Sequence, residues 1–372
     1  MKKISFLFGS GVSLKSGMPR VVDITNDLLY NNKIQYDFSR FFFEKEKASN
    51  CEITARCRDL ILFIKNKIDL FYYFYDKLYA NGKRETNYED IFYALIQIHD
   101  SITFEYENPI LYDLLIELEK KNLSKNVDEQ LLKITTESIL LIQCVVLKFL
   151  NKTISETSQF DVLIGLKEKY ELKNIFTLNN DLVLETFMEK NNIIYNDGFD
   201  KETNYWHGNF DNASVISVLK LHGSINWFNT KDGINLKLNE LENPINYPTI
   251  HRQIVNNCNY IPLILIGTFN KMNKYLSGVF DKLYFQFKER LEASHILIVS
   301  GYGFGDKGIN IPIKHWLEKN KQNRLIVIHP NKDNLIDYAR GQFEKMNESS
   351  RIAFIPKRFQ DLIISDFEKL LN

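Results

Sequence analysis

The chain has 372 residues and zero formal net charge, with Lys+Arg and Asp+Glu both at 47, and 44% of it is hydrophobic. That length exceeds one average domain, so a large domain with an insertion, or two domains, is the starting expectation. The charge balance excludes a global field that would hold nucleic acid or an anionic membrane. Four cysteines, Cys51, Cys57, Cys144 and Cys258, form no C-x-x-C pair. They fit neither a disulfide framework nor a structural zinc site, which points to a cytoplasmic chain without a metal.

The N-terminus, MKKISFLFGSGV, has only a short apolar run followed by polar turn residues, so it reads as a first core strand and not as a signal peptide. That strand ends at Gly9-Ser10-Gly11-Val12-Ser13, a loop type that brings backbone N–H groups up to a phosphate. The dinucleotide fingerprint G-x-G-x-x-G would need a third glycine at position 14, where Leu14 stands. From about Asp23 to Phe160 the sequence reads almost entirely as helix. Arg58–Tyr79, Asn87–Ile98 and Asp128–Leu150 all carry apolar residues at three- and four-residue spacing. The most apolar stretch, Ile139–Leu150, is interrupted by Gln143 and Lys148 and is shorter than the roughly 18 residues of a membrane span.

From Leu172 onward short apolar runs alternate with helical ones: NIFTL, a helix over Leu182–Lys190, IIYNDGF, VISVLKLHGS, LILIGTF, a helix over Phe280–Glu292, HILIVSGYG, another helix, LIVIHPN, RIAFIP and a last helix over Gln360–Leu371. This alternation predicts an α/β fold, a parallel sheet with helices on both faces, interrupted after its first strand by a helical insertion. Residues 1–24 and 160–372 would form the sheet domain and 25–159 the insertion.

Three loops follow predicted strands, where an open parallel sheet binds its ligands. They are the glycine loop, Thr177-Leu178-Asn179-Asn180-Asp181, and Leu221-His222-Gly223-Ser224. Asp181 could simply cap the helix after it, and a lone histidine is more often structural than catalytic. Glycine beside His222 at a strand end nevertheless suggests close approach to a ligand.

As a set, G-S-G-x-S, S-G-M-P, T-x-N-x-D and L-H-G-S resemble the sirtuin family in order and approximate spacing. KLHGSINWF (Lys220–Phe228) and ILIVSGYGFGDKGIN (Ile296–Asn310) are similar to the bacterial sirtuin-like NAD hydrolases of antiphage defence. The resemblance implies a Rossmann-like sheet of the sirtuin type. It also implies that Gly9, Ser10, Gly11 and Ser13 cradle the NAD pyrophosphate, that Asn179 orients ribose hydroxyls or water, and that Asp181 binds the nicotinamide carboxamide. His222 would be the general base; Gly301, Tyr302 and Gly303 would lie near the adenosine ribose, and His329 and Asn331 at the adenine end. Nicotinamide leaves as a neutral ring and needs no acid, so an amide and one base in a dry pocket suffice.

The chain departs from the deacylating sirtuins. Arg20-Val21-Val22 follows Met18-Pro19 where those enzymes have D-F-R, Leu178 and Asn180 replace residues of T-Q-N-I-D, and the paired zinc cysteines after the His-Gly pair are missing. The resemblance therefore implies an NAD+ glycohydrolase that releases nicotinamide and ADP-ribose and depletes NAD during phage infection, with no zinc module. An NAD-dependent protein deacylase and a non-catalytic nucleotide-binding assembly subunit are the alternatives. Since unrestrained NAD hydrolysis would kill the host, the reading also implies a homo-oligomer controlled from outside the chain. The partner would be a separately encoded HerA-type ATPase, an Argonaute-like protein or a phage component, with the aromatic-rich insertion as contact surface.

Overall fold

The computed structural model describes residues 3–31, 33–37, 40–43, 52–79, 84–106, 108–120, 127–212, 214–230, 232–238, 261–333, 335 and 351–371. β1 (Lys3–Phe8) is buried along nearly its whole length, as a strand covered on both faces must be. Its side chains alternate: Ile4, Phe6 and Phe8 enter one apolar layer and Leu7 the other. Ser5, the polar residue among them, meets Ser294 Oγ at 2.6 Å and accepts from Asn174 Nδ2 at 3.0 Å, so its burial leaves no orphan hydroxyl.

A 3-10 turn (Ser10–Ser16) follows, then α1 (Val21–Tyr30), a hairpin of β2 (Ile34–Asp37) and β3 (Arg40–Phe43), and four helices: α2 (Glu52–Tyr79), α3 (Tyr88–Ile102), α4 (Tyr112–Lys120) and α5 (Val127–Leu150). These elements share their own apolar core, from Ile24 and Leu28 to Val145 and Val146. The block expected to be almost entirely helical therefore also contains a hairpin, whose two short strands pair with each other away from the main sheet.

The sheet resumes with α6 (Val162–Lys169), β4 (Glu171–Thr177), α7 (Val183–Lys190), β5 (Tyr195–Asn196) and β6 (Ile216–Lys220). After a hairpin of β7 (Trp227–Asn229) and β8 (Asn235–Lys237) come α8 (Asn270–Lys274), α9 (Gly278–Glu292), β9 (Ile296–Ser300), α10 (Lys307–Lys319), β10 (Arg324–Ile328), β11 (Ile352–Ile355) and α11 (Ile364–Leu371). Seven strands lie in the order β11-β10-β9-β1-β4-β6-β5, every pairing parallel. α9 and α10 cover one face; α6, α7 and α11 cover the other. The expected α/β architecture with helices on both faces is what the chain forms.

Two expectations are corrected. LILIGTF makes no sheet strand: it contributes an isolated bridge between Ile264 and Gly223, because Ile264 and Ile266 turn into the core of the insert. α5 includes a helical stretch, Gln130–Leu150, long and apolar enough to cross a membrane, contrary to the length reading of Ile139–Leu150. Half of that window is buried, and α5 packs against α1, α2 and α3.

Candidate functional site

The register of the sheet aligns the loops. Phe8 pairs with Thr177 and with Ser300, and Thr177 pairs with Lys220, so four strands end in one row. Asn179 and His222 each lie two residues beyond that row, in the loops that follow the neighbouring strands β4 and β6. Asn180 Nδ2 donates to the His222 carbonyl at 2.6 Å and ties the two loops together.

The first group gathers on β1 and β4. Asn179 Nδ2 donates to Gly9 O and to Ser13 Oγ, both at 3.1 Å, while Asn179 Oδ1 is buried without a hydrogen-bond partner among the described residues. An orphaned buried acceptor beside a glycine loop is a place for a donor from outside the chain. Asp181 accepts from Val183 N, the first residue of α7, at 3.0 Å, while the N-cap position itself is taken by Leu182. Burial pushes the Asp181 carboxyl above the usual range, against the opposing charge of Lys220 and the hydrogen bonds of Val183 N and Ser13. Lys220, fully buried, donates to Asp181 O and pairs with Glu185 at 2.6 Å. A small cavity is lined by Asn179, Asp181, Glu185 and Lys220 with Phe8 and Phe160 among its apolar walls.

The glycines have a different immediate cause from the expected phosphate cradle. Gly9 N donates to Ser300 O at 3.0 Å and Gly11 N to Gly301 O at 3.1 Å, so these two N–H groups are engaged inside the protein. A Cβ on Gly9 would stand 2.4 Å from Gly301 O, and Gly301 itself has φ +67°, where a Cβ would stand 2.6 Å from Val12 N and 2.7 Å from Gly9 O. Two loops therefore interlock between the parallel neighbours β1 and β9, where the strand order switches from one side of β1 to the other. Any anion contact falls to the remaining groups of the turn, with Ser10 exposed and Ser13 buried.

The second group surrounds His222. Its Nε2 lies 2.7 Å from Tyr275 Oη and 3.0 Å from Asp306 Oδ2, and Tyr275 Oη donates to the same Oδ2 at 2.7 Å. Burial would raise the Asp306 carboxyl, but hydrogen bonds from His222 and Tyr275 and the charge of Lys271 hold it at about 2. Burial first, then Lys271, pushes His222 below its ordinary value, against the pull of Asp306 and Glu89. An ionised Asp306 offers only acceptors, so Nε2 carries the proton and Nδ1 keeps the lone pair of a neutral base.

Supports extend outward from this group. Tyr275 stacks on Tyr284 with centroids 4.8 Å apart and planes at 12°. Pro312 inside α10 leaves the Gly308 carbonyl without its helical donor, and Tyr284 Oη supplies one at 2.8 Å. Asp306 Oδ1 caps α10 by accepting from Gly308 N at 2.8 Å. Tyr302, expected near a ribose, has its side chain inside the protein: its hydroxyl accepts from Asp306 N at 3.1 Å and bonds Asn310 Oδ1 at 2.8 Å. A buried phenol needs a partner, and here it fixes the Asp306 turn. Gly303 lies in that turn. His329 and Asn331 bond each other beyond β10, Asn331 N reaching His329 Nδ1 at 3.1 Å, away from the His222 group. Asp306 and Tyr275 were not singled out from sequence. For Asp306 the available signal was a capping residue in a strand-to-helix loop; Tyr275 carried none.

Among the described residues no group of three or more His, Cys, Asp or Glu could hold a metal ion. Residues 173–355, just under half of the chain, match the family model described as a SIR2-like domain. The match starts after the glycine loop; the fold inserts β1 into the middle of the matched strands. No curated protein matches. Among solved structures the chain is similar to one from work on the mechanism and regulation of Sir2 enzymes, at 9% identity and TM-score 0.44 over 97% of this chain and 89% of that one. It is also similar to a Sir2 homologue in complex with NAD, at 12% identity and TM-score 0.42 over 100% and 91% of the respective chains.

Proposed function

We propose that the chain is an NAD+ glycohydrolase with His222 as its base. The single observation that carries this reading is the buried contact of His222 Nε2 with Asp306 Oδ2 at 3.0 Å, one strand away from the unpartnered Asn179 Oδ1. The SIR2-like match supports NAD+ as the substrate. The bond between ribose C1′ and the nicotinamide nitrogen breaks, and its electron pair leaves with the neutral ring. Water, oriented by Asn179, forms the new C–O bond and gives its proton to His222 Nδ1. Asp306 then faces an imidazolium that it stabilises.

Within the same proposal, Ser10, Ser13 and the turn after Gly9 hold the pyrophosphate, Asp181 the carboxamide, Gly301 and Gly303 the ribose side, and His329 with Asn331 the adenine end. Residues 25–159 are read as an insertion that carries control. Exposed aromatics on the second half of α2, such as Phe71, Tyr73 and Phe74, suit contacts in a homo-oligomer or with a separately encoded ATPase. The role fitted to these features is NAD depletion in antiphage defence. Incubating the full chain with NAD+ and separating the products tests the reaction: nicotinamide with free ADP-ribose supports hydrolysis. Nicotinamide formed only when an acetylated peptide is present would support deacylation instead.

A further inference from the structure

α8 belongs to the His222 group at one end and to the insert at the other. Tyr275, its C-cap, follows Lys271 by four residues, so the two side chains are neighbours along one helical turn, and Tyr275 N donates to Lys271 O at 3.0 Å. Tyr275 holds His222 and Asp306. Lys271 Nζ instead reaches Glu89, in the first turn of α3, at 3.2 Å to Oε2 and 3.3 Å to Oε1.

This pair is not a surface contact. The Lys271 side chain is 7% exposed and that of Glu89 28%, so losing Glu89 leaves the Lys271 ammonium as a poorly solvated charge beside the site. The seam around it is apolar: Phe269 meets Tyr93 with ring centroids 6.5 Å apart, and Ile264 and Ile266 lie in the insert core. The segment from Ile264 to Tyr275 is thus gripped by the insert before it delivers Tyr275 to His222.

We propose that Glu89 and Lys271 are a positioning pair through which the insert sets the placement of Tyr275 on His222 and the charge beside the His222–Asp306 couple. The proposal rests on reading His222 as the base of NAD+ cleavage. Neither residue of the pair touches the reacting atoms. The groups facing His222 are Tyr275 and Lys271 from α8, Asp306 from the loop after β9, and Glu89 from α3; Tyr88 adjoins Glu89, and Tyr284 and Tyr302 back Tyr275. Lys271 disfavours a proton on His222 and Glu89 favours one.

Two substitutions should therefore act in opposite directions. Lys271→Met should raise the titration midpoint of His222 by about half to one unit, and Glu89→Gln should lower it by a similar amount. Lys271→Arg should restore the wild-type midpoint. The acid limb of nicotinamide release should move with each midpoint, with kcat reduced about 3- to 30-fold and KM little changed. The midpoint is read on the full chain without NAD+ by NMR of labelled histidine, assigned with a His222→Asn variant; nicotinamide release is followed in parallel. Each sign stands alone, so Glu89→Gln, at the more exposed partner, keeps the test intact if Lys271→Met fails to fold. Opposite shifts support the proposal. Opposite NMR shifts in a chain that cleaves no NAD+ also support it and remove the proposed reaction instead. Absent or same-signed shifts overturn it whatever the activity.

Discussion

His222 Nε2 lies 3.0 Å from Asp306 Oδ2, and the other oxygen of that carboxylate caps α10. One side chain thus orients the proposed base and starts a helix. Asp306→Asn should retain the cap, since asparagine caps as well as aspartate does, but lose the charge that stabilises imidazolium. Nicotinamide release should fall about 10²- to 10⁴-fold, and the melting temperature should drop by the share of stability that the ionised carboxylate supplies at neutral pH. Asp306→Ala should lose the cap too, lowering stability by about a further 1 kcal/mol. A melting profile that collapses equally in both variants would contradict this division of labour.

Asn179→Ala should abolish cleavage and also lower stability by about 1–2 kcal/mol. Its amide bonds Gly9 O and Ser13 Oγ, and the side chain is buried rather than lying free on a loop. Denaturant melts beside rate measurements separate the two effects; full activity would remove Asn179 from the site.

The pH dependence has a definite sign. His222 titrates below its ordinary value, so the base form persists under acid and the acid limb of kcat/KM should fall below about pH 6.5. Asp306, held at about 2, contributes stability that is present above its unfolded value near 4 and is lost as pH falls toward 2. Acid unfolding of wild type should therefore be steeper between about pH 4 and 2 than that of Asp306→Asn. Parallel acid titrations of the two would reject the assignment.

Gly301→Ala tests the interlock of the two loops. A Cβ there would lie 2.6 Å from Val12 N and 2.7 Å from Gly9 O, at φ +67°. We expect a loss of at least about 2 kcal/mol and several degrees of melting temperature. A stable Gly301→Ala chain would mean that the loops can separate.

Much of the fold was legible because β1, β9 and β10 are dense apolar runs that only a doubly covered parallel sheet can bury. The hairpins were not: β7 and β8 are three residues each, with Asp232-Gly233 as the main turn signal between them. At the site, Asn179 and His222 stood out because amide and imidazole follow apolar strands. Tyr275 gave no such signal, since its role comes from α8 crossing to the end of β6, a contact 53 residues apart in sequence. Gly9 and Gly11 were legible as a tight loop, but the partner that requires them, Gly301, appears only when β9 lies beside β1.

Whether the His222–Asp306 couple drives hydrolysis of NAD+ is tested by comparing nicotinamide release by wild type, His222→Ala and Asp306→Asn at equal folded protein. We predict nicotinamide with equimolar ADP-ribose from wild type, none above background from His222→Ala, and a residual rate from Asp306→Asn. Wild-type turnover by His222→Ala would exclude His222 as the base.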